Sequence, residues 1–232
     1  MIAAVDEHPQ SSWRTVKRVI GRLRFSLLIG AVVLSLQMMP GGTSTNAGAV
    51  RSLGINWHTL TTGQLWRLVT DILIEGHPGL RWSILIPFLW VGVAEWHLGW
   101  RITAIAFFVT DWLSTVPTLI VLRLASTHSV WSAQQIARFD SGSSSAIYGT
   151  LAAFCASRRG PNTWIAPVLL VQTMVTIWLT NHRLFDVQHL LSIAVGLLIG
   201  IAAGRTPSNV TGRHGQSGAC RALDHNDSAS SA

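Results

Sequence analysis

Residues 140–157 read DSGSSSAIYGTLAAFCAS. The run after Asp140 carries no charge, yet it is built largely from Ser, Gly, Ala and Thr, so its hydropathy is poor for a membrane span. Gly142, Ser145, Gly149, Ala153 and Ala156 recur at steps of three or four and share one helix face. Small residues on a face let a neighbouring backbone come close, and a weakly apolar span needs other helices to shield it from lipid. A second stripe lies at Ser192, Gly196 and Gly200, and His189 extends it three residues earlier. Two small-faced helices predict a tight pair, with His189 of one near the start of the other.

The rest of the chain supplies the shielding. Of 232 residues, 49% are hydrophobic and only 12% charged, against about 25% charged in ordinary soluble domains. Mean hydropathy is +0.38. Two cysteines, Cys155 and Cys220, exclude a disulfide scaffold. A span needs about 20 mostly apolar residues. Six candidates are read: residues 25–39, 82–98, 102–124, 144–157, 164–179 and 187–203. Only helices or closed barrels satisfy the backbone in lipid, so the fold class is an all-α membrane protein, a six-transmembrane-helix bundle. Residues 1–24 form a basic cytoplasmic segment, 25–203 the membrane domain, and 204–232 a cytoplasmic tail whose composition predicts disorder. Disorder is also expected over the first twelve residues. The long first outer loop, 40–81, predicts structure of its own. Apolar positions 65, 68, 69, 72 and 73 predict one interfacial helix over Leu60–Ile74.

With six spans and a cytoplasmic N-terminus, 11 Lys and Arg fall inside and 6 outside. That is the expected sign for a multi-pass protein of the cell membrane with both termini in the cytoplasm. The net charge of +7 sits beside apolar runs, so the partner it implies is the lipid bilayer and not nucleic acid. Trp13–Arg24 is a topology signal that can rest on anionic lipid.

In this topology both small-faced helices start near the outer surface, which puts Ser144 and His189 at one depth. A serine hydroxyl is a poor nucleophile until a base takes its proton. Histidine suits that role near neutral pH, and in lipid it is expensive unless paired or facing water. Tyr148, four residues after Ser144, lies on the same face, where its ring can orient the imidazole. Backbone N–H groups at the helix start are candidate donors to an oxyanion.

These residues also carry a resemblance. Gly142–Gly149 (GSSSAIYG) resembles the GxSG motif of the rhomboid intramembrane serine proteases, and His189–Gly196 (HLLSIAVG) resembles their HxxGxxxG motif. Gln64, Trp66, Arg67 and Thr70 look like the family's Gln-x-Trp-Arg-x-x-Thr segment, and Gly92–Glu95 with Leu98-Gly99 looks like the end of its second span. The resemblance covers roughly residues 25–203 in the family's order. It implies a Ser144–His189 dyad supported by Tyr148 and Gly142, transmembrane proteins as substrates, and no cofactor or metal. Ser145 and Ser192 stand where the family has glycine; both are small. The family's His-x-x-x-Asn pair, whose side chains help bind the oxyanion, has no counterpart. Gly79 and Ser83 fall there counting back from Glu95, and Leu80 and Ile84 counting forward from Arg67. Ser83 offers one hydroxyl. The missing pair keeps open an alternative, a catalytically inactive rhomboid-like protein that binds transmembrane segments.

Other polar residues have simpler expectations. Asp140 and Asp186 read as helix N-caps or first-turn acids, with Asp186 a lesser candidate to orient His189. Glu95 reads as bonding loop backbone at the inner surface. Asp111 falls within the third span, where an acid is a functional candidate by default and most simply makes a buried hydrogen bond. A small transporter built on Asp111 and the polar fourth span ranks last, since no inverted repeat is visible. The histidines show no metal-ligand spacing.

Overall fold

The structure, a computed structural model, describes residues 9–38, 47–74, 85–158, 165–181 and 184–205. Everything described is helix, turn or short connection; the only strand-like feature among these residues is an isolated antiparallel bridge between Ile55 and Asp140. The six apolar stretches coincide with α2 (Arg24–Met38), α6 (Leu85–Leu98), α7 (Trp100–Ala125), α9 (Ser144–Ser157), α10 (Ile165–Asn181) and α11 (Leu184–Arg205). By length and composition, α7 and residues Val187–Arg205 of α11 suffice to cross a membrane. A bent pair, Trp13–Arg22 with Arg24–Met38, passes the same measure when taken together.

Helix α9 is the hub, packing against α11, α7, α6 and α10. The expected shielding is present: Ser145, Ala146, Ile147, Gly149, Thr150, Ala152 and Ala153 are all buried. Helices α9 and α11 run parallel in register. A Cβ added to Gly196 would fall on the Gly149 carbonyl, one on Gly200 on the Ala153 carbonyl, and one on Gly204 would come 2.9 Å from the Ser157 carbonyl. Helix α7 runs the other way, with Thr110 filling the space beside Gly149.

The lengths of these helices set a step. At one end α9 finishes level with α6, where His97 meets the Phe154 ring at 5.2 Å and Arg158 Nη2 at 3.2 Å. At the other end Ser144 lies level with Thr115, so residues 116–125 of α7 continue about 15 Å beyond the start of α9. The overhang is covered by α4 (Trp57–Thr61) and α8 (Val130–Ala137), which help bury Ile55, Leu119 and Leu122.

Several expectations are corrected. The single helix over Leu60–Ile74 is two, α4 and α5 (Arg67–Leu73), parted by a turn with Gly63 at φ 81°. An Asn56/Thr59 capping box starts α4. Arg67 pins α5 by donating to the Arg51 and Gly54 carbonyls (2.8 and 2.7 Å) and to Gln64 Oε1 (2.7 Å), while Thr70 donates to Leu53 O (2.7 Å). α5 therefore buries Ile72 in the main core beside Phe25 and Phe107 instead of lying on the surface. Upstream, α3 (Ala47–Leu53) completes this cap. The first twelve residues are not wholly irregular, since helix α1 (Pro9–Arg22) begins at Pro9. Glu95 binds no loop; buried, it accepts from Phe25 N (2.9 Å), Ser26 N (2.8 Å) and Ser26 Oγ (2.7 Å), and so caps the start of α2. The tail after Arg205 and Cys220 lie outside the described residues.

Candidate active site

Ser144 is the first residue of α9, and its hydroxyl is exposed at the step where α7 runs on past it. The chain turns into α9 at Gly142, whose φ of 133° favours glycine. The Gly142 amide donates to Asp71 O at 2.9 Å, tying the turn to α5. The first helical bond is Ile147 N to Ser143 O (2.9 Å). The amides of Ser144, Ser145 and Ala146 precede it and have no carbonyl to meet inside the helix. These three donors stand at the positive end of the helix dipole.

The register of α9 and α11 carries His189 to the same level. Ser144 Oγ lies 2.8 Å from His189 Nε2. The Tyr148 ring meets the imidazole edge-on, centroids 5.3 Å apart at 70°. A hydroxyl, an imidazole within proton-transfer distance and a ring that restricts the imidazole are thus assembled from two helices. Ser145 is buried in the seam, level with Ser192. Ser83, Gly79, Leu80 and Ile84 lie outside the described residues, as does the Asp186 side chain, although Asp186 falls in the first turn of α11.

Sequence reading missed the support beneath this pair. Gln188, next to His189 and buried, donates through Nε2 to Thr115 Oγ1 (2.7 Å) and Asp140 Oδ2 (3.0 Å). Thr115 in turn hydrogen-bonds Asp111. Asp140 is therefore no helix cap: the N-cap of α9 is Ser143, and Asp140 joins Ile55 in the β-bridge and Gln188 in the network. Asp71 and Asp111 are 3% and 2% exposed, and with Asp140 they form a group of three neighbouring carboxyls. Burial, then the neighbouring Asp111 and Asp140 carboxylates, hold the Asp71 carboxyl well above the usual range; Ile72 N, bonded to Asp71 Oδ1 at 2.8 Å, opposes this. Burial also raises Asp140, against its bond from Gln188. Asp111 makes the expected buried hydrogen bond with one oxygen only, and its Oδ2 has no partner among the described residues. No group of three or more His, Cys, Asp or Glu among the described residues has a metal-holding arrangement.

Comparisons of the chain with protein-family models, with curated proteins and with solved structures return no match.

Proposed function

We propose that this chain is a rhomboid-like intramembrane serine endopeptidase that cleaves transmembrane proteins near the outer membrane face. The observation that carries this reading is the 2.8 Å contact between Ser144 Oγ and His189 Nε2. In this reading all six apolar helices cross the bilayer, both termini are cytoplasmic, and the step at the start of α9 is a water-filled recess. α9, with 14 residues, is about 21 Å long against a hydrocarbon core of about 30 Å. Its first residue then sits below the surface, where a substrate segment could reach it.

Ser144 Oγ attacks the substrate carbonyl as His189 Nε2 takes its proton. The charge on the carbonyl oxygen is met by amides at the start of α9. His189 returns the proton to the leaving amine, whose bond to the carbonyl carbon breaks, leaving an acyl group on Ser144. Water, deprotonated by His189, then attacks the acyl carbon; the bond to Ser144 Oγ breaks, His189 returns the proton to Ser144, and the acid leaves. The test is fluorophosphonate labelling in native membranes. Label on Ser144 that disappears in Ser144→Ala supports the reading; labelling unchanged in that variant overturns it.

The missing His-x-x-x-Asn pair favours a second reading, a non-catalytic protein that binds transmembrane segments. Losing one oxyanion donor costs about 10²–10³ in rate. This reading predicts no covalent label, with co-purification of membrane partners that survives Ser144→Ala.

A further inference from the structure

We propose that α1 is an interfacial helix that docks on anionic phospholipid headgroups, at the end of the bundle opposite Ser144. Its residues divide into two arcs. Trp13, Val16, Val19 and Ile20, with Leu23 at the corner just beyond, fall on one side at helical spacing, while Arg14, Lys17, Arg18 and Arg22 fall on the other. No Asp or Glu occurs from Pro9 to Met38. The apolar arc continues the protein's own apolar surface. Leu23 reaches the space beside Gly92 of α6, and Val19 is half-buried. Farther along the same arc, Trp13, Ile20 and Val16 are 59%, 51% and 44% exposed. A helix with these two faces is the type that lies in a headgroup layer.

The corner at Leu23 fixes the direction. α1 and α2 meet there at 77°. If α2 crosses the bilayer, α1 runs close to its plane. The bend is held from both sides. Glu95 caps the first amides of α2. Arg22 lies over the Trp96 ring at 4.8 Å, and Arg24 and Arg101 lie against Trp100 at 4.2 and 5.5 Å. Trp96 and Trp100 at adjoining helix ends, clasped by arginines, are what an interface of lipid and water selects. Arg14, Lys17 and Arg18 are exposed, Lys17 Nζ standing 5.2 Å over the Trp13 ring at the edge between the two arcs, and their charge complements acidic headgroups.

The test uses the full chain with Cys155→Ala and Cys220→Ser, carrying one nitroxide at a time on Val16→Cys, Ile20→Cys, Arg14→Cys or Arg18→Cys. Collision with oxygen and with a water-soluble nickel chelate is measured in vesicles of phosphatidylcholine, with and without phosphatidylglycerol. The expected result is oxygen-rich, chelate-poor labels at 16 and 20 and the reverse at 14 and 18 when phosphatidylglycerol is present. In the chains labelled at 16 or 20, replacing Arg14, Lys17 and Arg18 together by Gln should raise chelate access several-fold. Free chelate access at 16 and 20 overturns the proposal. So does equal immersion without the anionic lipid, or spin–spin broadening that shows a second copy covering the face. None of these readouts involves Ser144, so the outcome is independent of whether the chain is a protease.

Discussion

The carbonyl of Gly149 occupies the space that a side chain on Gly196 would need. Because that obstacle is backbone, it cannot turn aside. Gly196→Ala should force α9 and α11 apart, destabilising the fold by about 1–3 kcal/mol. It should also slow Ser144 labelling by about 10²-fold for each ångström of displacement. Gly149→Ala differs, since its Cβ meets the Thr110 side chain. Thr110 Cβ is among the atoms it meets and alanine would keep it, so Thr110→Gly should rescue Gly149→Ala and fail to rescue Gly196→Ala. Gly21, with nothing within 4 Å, is the control whose alanine variant should be neutral or slightly stabilising. Thermal denaturation in detergent and labelling rates read both effects.

The 2.8 Å contact at Ser144 and the edge-on Tyr148 ring make separate predictions. His189→Ala should lower the labelling rate by about 10²–10⁴-fold, the usual worth of a positioned base. Tyr148→Phe keeps the ring and should label at nearly the native rate. Tyr148→Ala removes the restraint on the imidazole and should label more slowly; because the ring also packs against Ala152, Met174 and Ile193, it should lower the melting temperature as well, so rates are compared well below it. Equal rates in the two Tyr148 variants would remove the ring from the site's design.

The pairing of α9 with α11 was legible because the fold writes it as repetition: small residues every third or fourth position leave no other purpose for that face. Gly142, Ser144, Tyr148 and His189 were legible for the same reason, since helix spacing and a shared register place them together. The break at Gly63 was not, because the apolar positions that suggested the helix, 65 to 73, all lie beyond it and say nothing about where the helix starts. What fixes the break is Arg67, through carbonyls thirteen and sixteen residues away. Gln188 likewise gave no local signal; its partners lie 73 and 48 residues away. Glu95 stands 69 and 70 residues from the amides it caps. Long-range polar contacts have no period, and that is why the support of the site emerged only with the fold.

Gln188 bridges Thr115 of α7 and Asp140 of the turn into α9, one residue before His189. Gln188→Leu should strand buried acceptors and cost about 1–3 kcal/mol. Gln188→Glu should be worse, since it replaces a donor with a further acceptor beside Asp140 and Asp111. Both variants should lower Ser144 labelling by more than their loss of stability explains, measured well below the melting temperature. Native labelling in Gln188→Leu would show that His189 holds its place without this bridge.

Asp71 gives the fold a pH dependence of definite sign. Its carboxyl pKa is raised by burial and by Asp111 and Asp140, so the folded chain holds the proton more tightly than the unfolded chain. The folded state then binds more protons, and stability falls as pH rises from about 4, the unfolded carboxylate value, through the raised value. For one proton the slope is at most about 1.4 kcal/mol per pH unit. Asp71→Asn removes this titration and keeps an oxygen to accept the Ile72 amide. The variant should melt at a temperature less dependent on pH over this range, and above wild type at its alkaline end, where wild type must ionise Asp71 beside two other acids. Scans of melting temperature against pH in detergent check it. A variant that follows the wild-type curve in parallel would place the proton on Asp140, and Asp140→Asn would then flatten the curve.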